Sequence, residues 1–291
     1  MVHSNSSIAW LAAAAIAAIS VVLAGSSLAQ SPEEGIVSIG GSVTEIIYEL
    51  GEQDRLLARD STSTFPSEVT DLPNVGYMRA LSPEGVLSIG GSMIISEEGA
   101  GPPETIAVLR AADIPFVEVP SAYTHEDILA KILAVGAALD VEPEAEALAA
   151  RVHAELSAAE DLAAQRAGDQ PLRVMFILSV RDGRIMAGGR DTSAHGIIEM
   201  AGGENAFSDF HGYRLVSDEA VVAANPDVIL MMNRGGDHGA DDATLFAMPA
   251  LRTSQAAADN AVIRLDGLLM LGFGPRTAEA VTLLSDELYG G

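Results

Sequence analysis

No cysteine occurs anywhere in the 291 residues, which removes disulfide scaffolds, thiol catalysis, iron–sulfur clusters and Cys-based zinc sites in one step. Positive charge is also scarce: 16 Lys and Arg face 41 Asp and Glu, a formal net charge of −25, and all but one of the cations are scattered arginines. Nucleic-acid binding is excluded on that ground, because neutralising phosphates takes clustered Lys and Arg. Aromatics make up only 4% of the chain and Trp10 is the single tryptophan. A chain processed after residue 30 therefore has no indole on which to stack a sugar. Also missing are the Gly-x-Ser-x-Gly nucleophile elbow, the His-Glu-x-x-His metal pair and the Gly-x-x-x-x-Gly-Lys phosphate loop. Catalysis has no motif to start from.

What is present begins with a leader. Residues 8–24 form an uncharged, Ala-rich apolar run, followed by Gly25, Ser26, Ser27, Leu28 and Ala29. The Ser27-x-Ala29 ending resembles a signal-peptidase site, so residues 1–30 read as a cleavable signal peptide and the chain as exported to the periplasm. The run lacks a preceding Lys or Arg, and the competing reading is a retained membrane anchor, which needs roughly 20 apolar residues. No Cys follows the run, so a lipid-anchored form is excluded.

Beyond the leader, short β-branched or apolar runs alternate with amphipathic helical patterns. Strands are predicted at 36–39, 56–58, 93–96 and 116–119, with helices at 43–50, 83–88, 102–112 and 124–139. Residues 141–168 read as one long Ala/Glu/Leu-rich helix, with Pro143 in its first turn and Gly168 after its end. A second series follows: strands at 173–179, 228–232 and 261–265, and helices at 192–201, 217–223 and 276–289. The implied fold class is α/β, two Rossmann-like lobes joined by a long rigid helix with a ligand cleft between them. The corresponding division is a leader (1–30), an N-terminal lobe (31–140), a linking helix (141–168) and a C-terminal lobe (169–291). A helical connection restricts closure to small hinge motions. The string SIGGS occurs at 38–42 and again at 88–92. It reads as similar strand-edge chemistry rather than a repeat, because the following residues diverge at once.

Two short segments carry weaker signals. Gly272-Phe273-Gly274 lacks the third glycine of a phosphate cradle and reads as a turn. Residues 235–244, GGDHGADDAT, gather His238 among Asp237, Asp241 and Asp242, either a solvated acidic loop or a seat for a hard divalent ion.

Four separated segments then carry a family likeness: IVSIGGSVTEIIYELGEQDRLLARDSTSTFP (36–66), LPNVGYMRALSPEGVLSI (72–89), EEGAGPP (97–103) and LDGLLMLGFGPRTAEAV (265–281). Together they resemble the periplasmic haemin-binding proteins that feed bacterial ABC importers, from Ile36 to about Leu288. The resemblance implies two α/β lobes bridged by a long helix, haem as the transported ligand, and an inner-membrane permease with its ATPase subunit as partners. It implies a binding protein, not an enzyme. Importers of this type meet arginines on the permease through an acidic side chain from each lobe, and Glu104 and Glu204 sit at expected loop-to-helix positions suited to that contact.

Haem is a flat apolar disc with two carboxylates and an iron that wants an axial donor, so its site needs apolar walls, cations and a donating side chain. Arg59, Arg79 and Arg276 lie in or beside the family-like segments and are the candidates for holding propionates in two-pronged bonds. One departure stands out. The segment resembling DSTSTFP usually carries tyrosine where this chain has Phe65, and phenylalanine has no lone pair to give the iron, though its ring can pack on the porphyrin. Restoring the oxygen with Phe65→Tyr is expected to yield a phenolate-type ferric spectrum. The substitute donors are Tyr77, beside Arg79, and His195, at the predicted start of a second-lobe helix; Tyr123, His125, His211 and Tyr213 are weaker candidates, and His153 is discounted. Three alternatives stay open: a receptor for a siderophore or corrinoid, a direct zinc or manganese receptor, and a metal-dependent periplasmic enzyme working through His238 and Asp241.

Overall fold

The computed structural model describes residues 35–233 and 240–290. The leader and residues 234–239, which include Asp237 and His238, lie outside the described residues.

In chain order the first half runs β1 (Ile36–Ile39), α1 (Gly41–Glu49), β2 (Leu56–Arg59), α2 (Pro83–Leu87), β3 (Met93–Glu97), α3 (Pro103–Ala111), β4 (Phe116–Val119) and α4 (His125–Leu139). Its four strands form one parallel sheet in the order β2-β1-β3-β4. The strand order reverses between β1 and β3, and in an open α/β sheet the crevice at the carboxyl ends of such neighbours is where ligands sit. The 26-residue helix α5 (Glu142–Ala167) follows, with Pro143 in its first turn as expected.

The second half contains β5 (Arg173–Arg181), β6 (Arg184–Gly188), α6 (Ser193–Met200), β7 (Glu204–Asn205), β8 (Tyr213–Val216), α7 (Asp218–Ala224), β9 (Val228–Met232), α8 (Asp242–Ala247), α9 (Gln255–Asp259), β10 (Val262–Leu265), α10 (Gly267–Leu271) and α11 (Thr277–Tyr289). Its sheet is mixed. The order is β10-β9-β5-β6-β8, with β10, β9 and β5 parallel and β6 and β8 antiparallel additions. The β5–β6 hairpin turns on Asp182 (φ 51°) and Gly183 (φ 71°), the Asp-Gly pair that two-residue hairpin turns favour.

Side chains alternate across the strands and so build two layers of core. Along β5, Val174 and Phe176 face one apolar cluster while Met175 and Ile177 face another; β9 does the same with Leu230 and Ile229. The first of these clusters does not stop at α5. It runs from Ile36, Val43 and Ile95 through Leu148, Val152 and Leu156 to Phe176, Leu230 and Phe273. Residues 32–291 accordingly form one compact unit. Swinging one sheet against the other exposes part of that shared core, at a cost of about 25 cal/mol per Å² of apolar surface, which keeps any closure small.

The two SIGGS strings occupy opposite places. The first leaves a strand and enters a helix, whereas the second leaves α2, with Ser88 as its C-cap, and enters β3 through Gly90 at φ 77°. The shared letters therefore do not signify shared strand-edge chemistry. Only the first copy reaches the site, and its glycines are needed there. Gly40 sits at φ 110°, and a Cβ on it would meet the Glu97 carboxylate at 2.6 Å; a Cβ on Gly41 would meet Leu268 at 2.3 Å and the Thr62 carbonyl at 2.8 Å. No helix among the described residues is long and apolar enough to cross a membrane.

Candidate functional site

A cavity of about 420 Å³ opens where the carboxyl ends of both sheets converge. From the first half it is lined by Gly41 and Ser42 after β1, Glu97 and Glu98 at the end of β3, Ser121 and Tyr123 after β4, and the loop residues Thr62, Thr64, Tyr77, Met78 and Arg79. The second half supplies Leu178, Ser193, Tyr213, Met232 and Asn233, then Asp266, Leu268, Leu271 and Gly272 around α10. Three of the five tyrosines in the chain thus face one space.

Beneath the cavity lies a buried ion pair. Lys131, the only lysine, is 0% exposed on α4. Its Nζ donates to Glu97 Oε1 at 2.5 Å, Ser42 Oγ at 3.0 Å and the Gly272 carbonyl at 3.4 Å. Ser42 and Ser121 also donate to Glu97 Oε1, at 3.1 and 2.9 Å. The ammonium has three protons and three acceptors, which is what a buried charge requires. One contact crosses to the second half, so this node ties α1, β3, α4 and the 272 turn together.

A second buried carboxylate organises the loop after β2. Asp60, fully buried, accepts from the Gly40 and Thr62 amides at 3.0 and 2.9 Å and from the Thr62 and Ser63 hydroxyls at 2.8 and 2.9 Å. Those bonds fix the Thr62–Thr64 wall. Among the phenols, Tyr123 is half-buried and packs edge-on against Phe273 with ring centroids 5.3 Å apart. Burial, reinforced by the nearby Tyr213, pushes its pKa above the usual phenol value, with Arg79 opposing. The Tyr213 hydroxyl is 3.2 Å from Ser193 Oγ. Tyr77, half exposed, has no hydrogen-bond partner for its hydroxyl among the described residues.

Measured against the expectations, the cavity brings together Tyr77 and Arg79, with Tyr123 and Tyr213 beside them. The other named residues fall elsewhere. Arg59 is buried at the end of β2 and donates to the carbonyls of Asp60 (3.3 Å) and Thr70 (3.2 Å), so its guanidinium braces the loop and does not face the cavity. Arg276, the N-cap of α11, grips the buried Glu45 through two bonds of 2.5 and 3.2 Å. Its guanidinium also covers the Phe65 ring at 3.6 Å. Arg276 and Phe65 meet in a clasp between the halves and are absent from the cavity lining. Burial raises the Glu45 pKa despite this partner.

His195 is likewise outside the lining; its Nδ1 is 3.4 Å from the Asn205 amide and 3.9 Å from Glu199, and only its neighbour Ser193 reaches the cavity. His125 and His153 join each other (2.9 Å) and Glu160 (2.9 Å) between α4 and α5, and His211 pairs with the exposed Asp191. Glu104 is exposed in the first turn of α3 as expected. Glu204 is not at a helix entry: it lies in β7, 4.0 Å from Arg173 Nε. Asp241 caps α8 by accepting from the Thr244 amide and Asp242 pairs with Arg264 at 2.5 Å. Among the described residues no group of three or more His, Asp or Glu is placed to hold a metal. Gly272-Phe273-Gly274 is a turn, with Phe273 at φ 51° and buried.

Lys131 and Glu97 are the residues that sequence reasoning missed. The signal was available: Lys131 sits at the i+3 position from Ile128 and four before Val135, on the apolar stripe of α4, where a lone charge needs a buried partner.

Several known proteins are similar to this chain, three of them as follows. The periplasmic haem-binding protein RhuT from Roseiflexus sp. RS-1, in apo form, shares 39% identity and superposes with a TM-score of 0.83 over 88% of this chain and 98% of its own. The periplasmic haem-binding protein BhuT, solved in complex with two haems, shares 36% identity at a TM-score of 0.82 over 87% of this chain and 97% of its own. The vitamin B12-binding protein of Vibrio cholerae is 30% identical over 199 residues, 68% of this chain and 70% of its own. The family model described as periplasmic binding protein matches residues 36–268, a span that contains both sheets and nearly all of the cavity lining. The chain belongs to the periplasmic binding protein family.

Proposed function

We propose that this chain captures haem in the cleft between its two sheets and delivers it to an ABC importer. The observation that carries the reading is the composition of the cavity. Met78, Leu178, Met232, Leu268 and Leu271 provide apolar surface, Tyr77 offers an oxygen donor with no competing partner, and Arg79 is the one lining cation among the described residues. An apolar disc with acidic tails and a metal seeking a donor matches each of these. The likeness to two haem-binding proteins at 36% and 39% identity supports it. Family members are substrate-binding transport proteins, and on this reading the chain binds without turnover.

The family implies an extracytoplasmic location. A cleavable leader at 1–30, an N-terminal lobe at 31–140, a connecting helix at 141–168 and a C-terminal lobe at 169–291 form part of the proposal. So does contact with a permease and its ATPase subunit through acidic surface. Glu104 remains a candidate on the first lobe. On the second, a hollow of about 340 Å³ lined by Asp218, Glu219, Val222 and Pro249 offers a shaped acidic surface, which Glu204, drawn toward Arg173, does not.

One observation favours a second reading. Among the described residues a single lining arginine pairs one propionate, not two, and a corrinoid bearing neutral amides needs no cation at all. Calorimetry with haemin, cobalamin, Zn²⁺ and Mn²⁺ in parallel decides. Saturable one-site heat with haemin alone supports the proposal, while heat with cobalamin and none with haemin replaces it.

A further inference from the structure

Arg79 is the one lining cation among the described residues, yet a haem carries two acids. Both hang from neighbouring pyrroles on one edge of the disc, so a propionate held by Arg79 brings the other to the same wall of the cavity. What stands beside Arg79 on that wall is a group of hydroxyls. Tyr123, from the loop after β4, is within electrostatic reach of both Arg79 and Tyr213, so the three side chains share one neighbourhood. The same loop touches the second half at α6, where a Cβ on Gly196 would meet the Tyr123 carbonyl at 2.6 Å. Ser193, one turn earlier on that face of the helix, lines the cavity with its hydroxyl 3.2 Å from that of Tyr213.

The proton count of this group leaves donors over. Ser193 and Tyr213 have one O–H each and make a single bond with each other, so one proton is used between them and the other is open to the cavity. Tyr123 adds a third O–H, for which no acceptor stands among the described residues. Burial raises its pKa, so at neutral pH it keeps its proton and remains a donor. Such donors suit a carboxylate, because a hydrogen bond to an ionised acceptor is about twice as strong as a neutral one. The lining acids do not contest the place. Glu97 carries its own ammonium in Lys131, Asp266 lies on the clasp side within reach of Glu45, and Glu98 is exposed, where solvent screens its charge.

We propose that Tyr123, Ser193 and Tyr213 form a second, uncharged carboxylate seat next to Arg79, so that the cargo is taken as a dicarboxylate: the guanidinium sets its orientation and the hydroxyls receive the acid that follows. This rests on the haem reading for the identity of the cargo and goes beyond it in naming what holds the second acid. The cleft then selects against a disc that carries one acid or none.

The test titrates haemin and haemin dimethyl ester into the wild-type full chain and into the double variant Ser193→Ala, Tyr213→Phe. A phenyl ring at 213 keeps the packing on Phe176, whose centroid is 6.2 Å away, so hydroxyls alone are lost. The expected result is a loss of haemin affinity of about ten-fold or more, no loss for the ester, and an unmoved Soret band, since the iron donor is untouched. The two single variants and Tyr123→Phe are run beside it, and each is expected to show part of the same acid-dependent loss. Adding Arg79→Gln multiplies the loss for haemin, because the two seats hold different acids. Equal losses for haemin and its ester, or no loss for haemin, overturn the proposal, because hydroxyls with a merely structural role do not distinguish the two. If the wild-type chain binds the ester as tightly as haemin, neither acid is recognised and the proposal fails while the haem reading stands. If it takes up neither porphyrin, the haem reading fails by itself. The seat is then tested with cyanocobalamin against its monocarboxylic acid derivative: a preference for the acid that the double variant loses supports the seat, and equal binding or none overturns it.

Discussion

The two halves of the molecule face the same cavity with different chemistry. All five buried charged residues among those described, Glu45, Arg59, Asp60, Glu97 and Lys131, belong to the first half, and the buried polar residues of the second are neutral: Thr192, Ser193, Asn205, Ser254, Thr277 and Ser285. The first half therefore holds a pre-organised polar wall, fixed by Asp60 and the Lys131–Glu97 pair. The second contributes the apolar Leu178, Met232, Leu268 and Leu271, with Tyr213 and Asp266 as its polar lining groups beside Ser193 and Asn233. Orientation of a ligand comes from one side and burial from the other. A parallel sheet with a switch point concentrates strand ends and helix starts at one edge, where loops can be pinned by buried carboxylates. The mixed sheet offers a flatter apolar face.

That contrast can be broken most forcefully at Lys131. Replacing it with Met strands a buried carboxylate, and unfolding in urea should register a loss of about 3–5 kcal/mol. The matched change in the second half, Asn205→Ala, removes bonds to the Gly188 carbonyl and the Phe207 amide and is expected to cost only about 1–3 kcal/mol. Equal losses would mean that the polar wall is no more organised than the apolar one. Next in size, Arg79→Gln should weaken haemin binding by about ten-fold or more, since a charged hydrogen bond contributes about 1.5–3 kcal/mol. Haemin with esterified propionates should ignore the change; a similar effect on both forms removes Arg79 from ligand recognition.

The clasp between the halves gives two subtler comparisons. Because burial raises the Glu45 pKa, the folded state holds that proton more tightly than the unfolded chain. Its contribution to stability is present below the ordinary carboxylate pKa of the unfolded chain and is lost as pH rises through the folded value. Denaturation of Glu45→Gln and wild type across that range should therefore show the difference moving in favour of the variant as pH rises; the opposite slope would mean that Arg276 outweighs burial. Smallest is the stacking of Arg276 on Phe65, which is 40% exposed. Phe65→Leu is expected to cost about 0.5–1 kcal/mol. For the same reason Phe65→Tyr should not acquire the phenolate spectrum that the sequence suggested, because its ring is already held outside the cavity by the guanidinium.

Much of the fold was legible in the sequence because buried parallel strands read as short apolar runs: 36–39, 116–119 and 228–232 match β1, β4 and β9. The long helix was marked by Pro143 and Gly168. The β6 and β8 strands were not seen, although Asp182-Gly183 was the turn signal, since Arg184–Gly188 and Tyr213–Val216 are short and carry charged or exposed residues. Tyr77 and Arg79 fall together in the cavity lining because they lie two residues apart in one segment. Lys131 and Glu97 were missed because they are 34 residues apart, and nothing in the local spacing announces a pair made only by packing. Arg59 and Arg276, named from the same segments, lie outside the cavity lining, because proximity to a family-like segment says nothing about which way a guanidinium points.

The account depends most on the cavity taking up an iron tetrapyrrole with Tyr77 as donor. Haemin titration of the full chain, followed in the visible range, tests this directly when run beside Tyr77→Phe. We expect a saturable, shifted Soret band in the wild type and a changed ferric spectrum with weaker binding in the variant. No band shift in the wild type, or identical spectra and affinities for the two proteins, would contradict it.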